Sequence, residues 1–468
     1  MNAANVTTED EILHFVGSPI ITANQVVAIY RQAQERGQTV AAPWQQLRTL
    51  LNQLPTHQTQ LQKIWSALDY HNQPQPLQPQ IARALYGDQL IVSISQLESF
   101  YQNPYEYFLH YGLNLKPRPE FKITPANQGT FYHEVLDETI KNLQQQQLSL
   151  NQLNEAQLAV VAHQVIQQVL QQKPFQVFSY DEKFARQRLI QTIQRSLEAI
   201  RRQTQLVPFY PFKTEVAFGQ VGALHNIRPL TYQLNDHQSV VIRGRIDRID
   251  RLTQYPDNYF VVDYKSGAHD FKYSDFYAGL DLQMMTYLAS LLNDPSLMGE
   301  AAVPIGGFYF QLQDPIVKFE DLKGQPQTAH QKLFKQYSYK GLVIDKGQTG
   351  AQLAPDAQQA SLIFPVNKNQ RLKPNKTVSY AEFQLMLAYN RYLIMLAAEK
   401  ILAGEISLSP VRLDKQRTTL QYSDYLPIMR FDAMLAENNY RLVRPLSKKD
   451  FLKRINQKLK EAGYADKI

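Results

Sequence analysis

The chain has 468 residues, of which 44% are hydrophobic and 19% are charged, and it contains no cysteine. At roughly 150 residues per domain, this length allows about three domains. The lack of cysteine excludes disulfides, cysteine-bound zinc, iron–sulfur clusters and thiol nucleophiles. With 49 Lys+Arg against 42 Asp+Glu, the net charge is +7, which suits a polyanionic partner without requiring one.

Nothing in the sequence predicts insertion into a membrane. No apolar run approaches the ~20 residues that span a bilayer, and the polar, acidic residues 1–11 are unlike a signal peptide. We therefore expect a soluble protein in the cytoplasm, with no membrane among its partners.

Helices dominate the first half of the chain. The spacing of apolar residues predicts short helices at 20–36 and 44–54, followed by a proline-rich linker at 72–80. Longer amphipathic helices are predicted at 129–143, 153–171 and 181–203.

The pattern then changes to short apolar runs with a period of two. These predict strands at 240–249, 259–262 and 305–312, with a helix at 280–292 before the third strand and a long helix at 380–402. Residues 313–375 are rich in Gln, Lys, Gly and Pro, and we expect an insertion with little core. The fold class is therefore α+β, a small mixed sheet flanked by helices.

Residues 244–267 carry the strongest chemical signal, because acidic residues and a lysine follow apolar strands. Asp247 lies in one predicted strand, and Asp263 and Lys265 end the next. Residues two apart in a strand share a face, and antiparallel pairing would bring Asp247 and Asp263 together. Two carboxylates suit a hard cation, Mg²⁺ or Mn²⁺. A lysine beside that ion could orient a water and offset charge on a phosphate.

Each motif taken alone has an ordinary structural explanation. A lone D-x-K at a strand end is typically a surface ion pair, and Asp247 and Asp250 could form salt bridges with adjacent arginines. His133, a further candidate ligand, could equally be a packed or surface histidine. The conjunction of G-x-I-D, D-x-K-S-G and a helix that opens at Gln283 favours a functional site.

The same motifs identify a family. In chain order they occupy residues 93–108, 129–134, 244–250, 262–267 and 283–287. Together they resemble the RecB-like nuclease domain of the PD-(D/E)XK superfamily and, within it, the AddB/RexB-type members of the helicase–nucleases. The likeness runs from about residue 90 to the end, so the implied fold is a restriction-endonuclease-like core.

The resemblance also implies a site and a reaction. It implies hydrolysis of phosphodiester bonds in single strands of unwound DNA with Mg²⁺ (Mn²⁺ possible), beside an AddA/RexA-type helicase–nuclease partner, in double-strand-break repair by recombination. The residues it implies are metal ligands His133, Asp247, Asp263 and the carbonyl of Tyr264, catalytic Lys265 with Asp263 and Asp247, and Gln283 and Tyr287 supporting the site along the DNA.

The chain departs from many relatives of this type at a four-cysteine iron–sulfur cluster. The equivalent positions are Asn103, Leu420, Ser423 and Met429, none of which can ligate such a cluster. We expect Asn103 still to lie near residues 420–429, held by packing of Tyr101, Leu420 and Met429.

The resemblance also predicts the domain organisation. Whole proteins of this type are far longer, and this chain has no G-x-x-x-x-G-K-[ST] phosphate loop. We expect residues 1–90 to be a helical remnant of a preceding helicase-like domain plus a linker, with an exposed apolar face. Residues 91–468 would be the nuclease domain, with its core at about 129–312, the insertion at 313–375 and C-terminal helices at 376–468.

Basic and aromatic residues alternate at 116–122 and 271–273, as in single-strand binders, although the aromatic residues could instead belong to the core. The tail at 448–460 has the spacing of a packed amphipathic helix. An alternative function stays open, a non-catalytic DNA-channel or scaffold module that attaches to the helicase partner and keeps a vestigial site.

Overall fold

The structure is a computed structural model that describes residues 8–68, 71–117, 125–172, 180–220, 226–312, 316–317, 320, 329–367, 369 and 371–464. Its helices are α1 Glu9–Ile12, α2 Pro19–Glu35, α3 Ala42–Asn52, α4 Gln58–Trp65, α5 Pro79–Tyr86, α6 Ile94–Gln102, α7 Pro104–Tyr107, α8 Pro125–Gln145, α9 Glu155–Gln172, α10 Tyr180–Leu206, α11 Tyr273–Tyr277, α12 Gln283–Asn293, α13 Ala329–Gln336, α14 Thr349–Leu353, α15 Ala357–Ala360, α16 Tyr380–Leu402, α17 Leu426–Met429 and α18 Lys448–Glu461. Its strands are β1 Gln89–Ser93, β2 Phe209–Phe218, β3 Asn226–Ile227, β4 Leu230–Gln233, β5 Ser239–Leu252, β6 Asn258–Lys265, β7 Val303–Gln311, β8 Lys340–Asp345, β9 Thr377–Ser379, β10 Val411–Arg412 and β11 Arg441–Leu442.

A mixed sheet organises the molecule, and over the described ranges it contains nine strands. The order is β3-β2-β5-β6-β7-β8-β9, and β1 and β4 pair with the first part of the long strand β5. β5 and β6 are antiparallel, β6 and β7 are parallel, and β7 and β8 are antiparallel. The predicted α+β class, a mixed sheet flanked by helices, is confirmed.

The sheet is covered on both faces, which explains why its central strands are almost wholly apolar. On one face, α12, α16 and α18 bury a cluster that includes Met284, Phe383 and Phe451. On the other face, α8, α9 and α10 bury a second cluster that includes Phe131 and Ile166. The predicted amphipathic packing of the basic tail is confirmed, because Phe451, with Ile455 and Leu459, lies in the first cluster.

Residues 313–375 contribute more to the core than their composition suggests. Strand β8 extends the main sheet, and Leu342, Val343 and Phe364 are at most 2% exposed. The prediction of little core in this stretch is therefore wrong. The division of the chain into a remnant, a nuclease core, an insertion and C-terminal helices stays a prediction.

The N-terminal helices form a small core of their own. Trp44, Leu51 and Trp65 are buried within it, whereas Leu13 and Leu50 are 66% and 60% exposed. Among the described helices, none alone is long and apolar enough to cross a membrane; Glu9–Phe15 and Pro19–Gln34, bent by 117°, meet that test only when taken together.

The C-terminal segment folds back onto the N-terminal part of the sheet domain. Asn103, fully buried, donates from Nδ2 to the Met429 sulfur at 3.2 Å, and Asn72 donates to the carbonyl of Met429 at 3.0 Å. The predicted proximity of Asn103 to residues 420–429 is confirmed. Tyr101 does not take part as predicted, since its hydroxyl donates to the Leu393 carbonyl of α16 at 2.7 Å.

Candidate active site

The pairing of β5 with β6 brings two acidic residues to one end of the sheet. Arg248 lies opposite Val262, so the same register continued by one step places Asp247 beside Asp263. Both carboxylates are buried, at 7% and 1% exposure. Lys265 follows on the same face of β6 as Asp263, because side chains alternate along a strand.

Gln283, the first residue of α12, joins these groups into one network. Lys265 Nζ contacts Asp263 Oδ2 at 2.7 Å and donates to Gln283 Oε1 at 2.7 Å. Gln283 Nε2 in turn donates to Asp263 Oδ1 at 2.7 Å and to the Tyr287 hydroxyl at 2.6 Å. Four of the residues predicted for the site thus hold one another in a fixed arrangement.

A second group lies on the other side of Asp247. His133 of α8 places Nδ1 3.4 Å from Asp247 Oδ1 and 3.6 Å from Glu215 Oε1. One ligand atom from each of these three residues lies within 4.8 Å of the others. An imidazole nitrogen and two carboxylates at this spacing are a donor set for a divalent cation. The structure therefore joins the predicted His133 and Asp247 to Glu215, while Asp263 faces Lys265.

Glu215 was missed by the sequence analysis, and its backbone explains why. It lies in β2 between Thr214, which pairs with Arg248, and Val216, which pairs with Ile246, and so it stands opposite Asp247. Its φ of 50° is in the left-handed region, which non-glycine residues adopt only where the surroundings impose it. An acidic residue inside an apolar strand is the one signal that could have identified it.

Tyr264 holds Asp247 through its backbone. Its N–H donates to Asp247 Oδ2 at 2.8 Å, and its buried hydroxyl accepts a hydrogen bond from Arg248 at 3.0 Å. Arg248 also pairs with Asp250 at 2.9 Å, and both of these side chains are fully buried. The predicted ligation by the Tyr264 carbonyl stays a prediction.

The charges of the site perturb one another. Burial, followed by the nearby Asp247, raises the pKa of Asp263 to about 7. Burial disfavours the charge on His133, but hydrogen bonds to Asp247 and Glu215 outweigh it and raise its pKa to about 10. Burial also opposes the charge on Lys265, yet Asp263 raises its pKa above the ordinary value. Crowded carboxylates of this kind would gain from a bound cation.

Glu98 of α6 is a further residue that the sequence analysis did not identify. Its Oε1 accepts hydrogen bonds from the backbone N–H groups of Leu282 and Gln283, at 2.7 and 3.1 Å. Because these groups open α12 and have no partner within the helix, Glu98 fixes the end from which Gln283 reaches the site. Burial and then the neighbouring Asp281 raise the pKa of Glu98 to about 8.

One predicted DNA contact is wrong, and the other lies mostly beyond the described residues. Phe271 and Tyr273 are 4% and 7% exposed and belong to the core, so their rings cannot stack on bases. In the other segment, 116–122, residues from 118 onwards lie outside the described residues.

Comparison with known proteins identifies the family. A family model described as the PD-(D/E)XK nuclease superfamily matches residues 91–413. The chain belongs to the PD-(D/E)XK nuclease superfamily. This confirms the resemblance identified in the sequence, and the match spans the sheet, α8, α12 and every residue of the two groups described above.

Several curated relatives of this PD-(D/E)XK nuclease are named as the B-type component of an ATP-dependent helicase/deoxyribonuclease. The protein from Latilactobacillus sakei is 37% identical over 450 residues, the one from Lactiplantibacillus plantarum 38% over 462, and the one from Enterococcus faecalis 32% over 460. These alignments cover 93–94% of this chain but only 38% of each relative. The chain thus spans well under half the length of the relatives that it matches.

Proposed function

We propose that this chain is a metal-dependent deoxyribonuclease domain that hydrolyses phosphodiester bonds of unwound DNA as an exonuclease. The observation that carries the proposal is the network of Asp263, Lys265 and Gln283 beside the His133–Glu215–Asp247 group. Membership of the PD-(D/E)XK nuclease superfamily supports the same chemistry.

The donor set fits a hard divalent cation, Mg²⁺ or Mn²⁺. His133, Glu215 and Asp247 would hold it, with Asp263 and the Tyr264 carbonyl completing the ligands that the resemblance implies. When bound, such an ion polarises the phosphoryl oxygen and offsets charge that develops on the phosphate. The fit rests on three convergent donor atoms and on the mutual repulsion of Asp247 and Asp263, which contributes to the raised pKa of Asp263.

The residues of the chain supply orientation and charge. Lys265 stays protonated at neutral pH because Asp263 raises its pKa, so it acts as a hydrogen-bond donor and cation rather than as a base. In our proposal Lys265 orients the attacking water and faces the phosphate. Gln283 and Tyr287 limit the freedom of the ammonium group, which reduces the reorganisation needed at reaction. Cleavage would leave a 5′-phosphate and a 3′-hydroxyl.

The biological setting belongs to the same proposal. Relatives named as a component of an ATP-dependent helicase/deoxyribonuclease suggest that the chain works in a heterodimer with an AddA/RexA-type helicase–nuclease. Its substrate would be single strands from unwound duplex in the cytoplasm, during double-strand-break repair by homologous recombination.

The test is degradation of end-labelled single-stranded DNA by the purified chain, with and without Mg²⁺. Lys265→Ala should reduce metal-dependent cleavage by orders of magnitude without unfolding the protein. The matched control is Lys415→Ala, an exposed lysine remote in sequence from the site, which should cleave like wild type. Equal cleavage by Lys265→Ala would refute the assignment of Lys265. A folded wild type that neither cleaves nor binds Mn²⁺ would favour the scaffold module instead.

A further inference from the structure

A lysine stands beside the candidate site in the row of residues that crosses the sheet. Asp263 of β6 lies opposite Tyr309 of β7, and Tyr309 lies opposite Lys340 of β8. Residues paired in register across neighbouring strands point to the same face. Two strand spacings place Lys340 roughly 10 Å from Asp263. Lys265 Nζ lies 5.7 Å from the centre of the Tyr309 ring, so Tyr309 separates the two lysines.

Lys340 belongs to a cluster of four lysines, together with Lys335, Lys373 and Lys376. Lys335 and Lys373 are exposed. Burial lowers the pKa of Lys340, and the positive charges of Lys373, Lys335 and Lys376 add to this effect. The lysine cluster is therefore compact enough for its members to repel one another.

Little negative charge balances the lysine cluster. Asp270 is the carboxylate that acts on Lys340, and it is already paired with Lys376 at 2.7 Å. Lys340 itself donates to the Ser338 hydroxyl at 2.9 Å, a neutral partner. Concentrated positive charge beside a candidate hydrolytic site is the arrangement that attracts a polyanion.

We propose that this lysine cluster binds the sugar–phosphate backbone of a single DNA strand where the strand crosses the sheet end next to the candidate site. The inference rests on the proposed deoxyribonuclease function and adds the path of the strand. The backbone would run from Lys265 over Tyr309 to Lys340 and then to Lys335 and Lys373. Lysines at these positions neutralise phosphates without reading sequence.

The test compares two variants with the same change in charge. In K335Q/K340Q/K373Q three lysines of the cluster are neutralised, and the control K449Q/K453Q/K460Q neutralises three exposed lysines of α18. Binding of a fluorescein-labelled oligo-dT is measured by anisotropy in EDTA, so that no cleavage occurs, over a range of NaCl concentrations.

Three lost phosphate contacts should make the slope of log K against log[NaCl] less negative by roughly 2. Because the counterion contribution vanishes near 1 M salt, this corresponds to roughly 100-fold weaker binding at 0.1 M. In cleavage assays with Mg²⁺, the cluster variant should raise KM and leave kcat nearly unchanged.

Slopes and affinities of the cluster variant equal to those of the α18 control would overturn the inference, as would a wild type that binds no oligo-dT. Because binding is measured without metal, the two proposals can fail separately. Loss of binding in the cluster variant, with no cleavage by wild type, would keep the DNA path and refute only an autonomous nuclease. Normal cleavage with no specific loss of binding would refute only the path.

Discussion

Replacing Arg248 with methionine should lower the free energy of unfolding by about 3–5 kcal/mol. Arg248 is fully buried beneath the candidate site, where it pairs with Asp250 at 2.9 Å and donates to the hydroxyls of Tyr264 and Tyr339. Methionine fills much of the same space, but it leaves the Asp250 carboxylate without a counter-charge at 0% exposure. The loss therefore comes from an unpaired buried charge rather than from a cavity.

A second variant separates these two causes. In R248M/D250N the unpaired charge is gone while the shape of residue 250 is kept, so most of the lost stability should return. Arg243→Met changes an exposed arginine of the same strand, and its effect should stay within about 0.5 kcal/mol.

Urea-induced unfolding followed by far-UV circular dichroism measures all three variants, with the stability change taken from the midpoint shift and the slope m. A loss below about 1 kcal/mol for Arg248→Met would show that Asp250 finds another partner or a proton. A double variant no more stable than the single one would show that packing, and not charge, governs the position.

Two further predictions concern the candidate site. Mn²⁺ at 100 times its Kd should stabilise the protein by about 2.7 kcal/mol; Glu215→Gln should weaken this gain in thermal unfolding, whereas the exposed control Glu300→Gln should keep it, and an equal gain in both would remove Glu215 from the ligands. Burial raises the pKa of Glu98 from 4.5 to about 8, so the folded state retains a proton that the unfolded state loses and stability falls as the pH rises between those values. Glu98→Gln keeps an acceptor for α12 and should gain on wild type in urea midpoint from pH 5 to pH 8; parallel pH profiles would contradict this reasoning.

Much of the fold could be predicted because the apolar pattern of its central elements is strong. The predicted strand 259–262 is the buried part of β6, and the predicted helix 380–402 is α16, which ends before Gly404 with a left-handed φ of 78°. Strand β8 escaped prediction because its short apolar run, residues 342–344, sits among Gln, Lys and Gly. A three-residue run carries too little periodicity to distinguish a strand from a loop.

The site was predicted as far as local sequence reaches. The spacing of Asp263 and Lys265 within one strand determines that they share a face, and the antiparallel partner supplies Asp247. Glu215 and Glu98 act through long-range geometry, a left-handed backbone and the capping of a helix 184 residues away, which no local pattern encodes. The mistaken DNA contact at 271–273 has the opposite cause, since basic and aromatic residues alternate equally well along a buried segment.

The contact between Asn103 and Met429 has a consequence for synthesis of the protein on the ribosome. The two residues are 326 positions apart, so at about 5–20 residues per second Asn103 is made roughly 15–65 s before its partner. During that interval the side chain that will be fully buried remains in water, together with the apolar surface around it. The last helices to leave the ribosome therefore complete a core begun much earlier, and a ribosome that stalls before residue 429 would present that unfinished surface to chaperones and proteases.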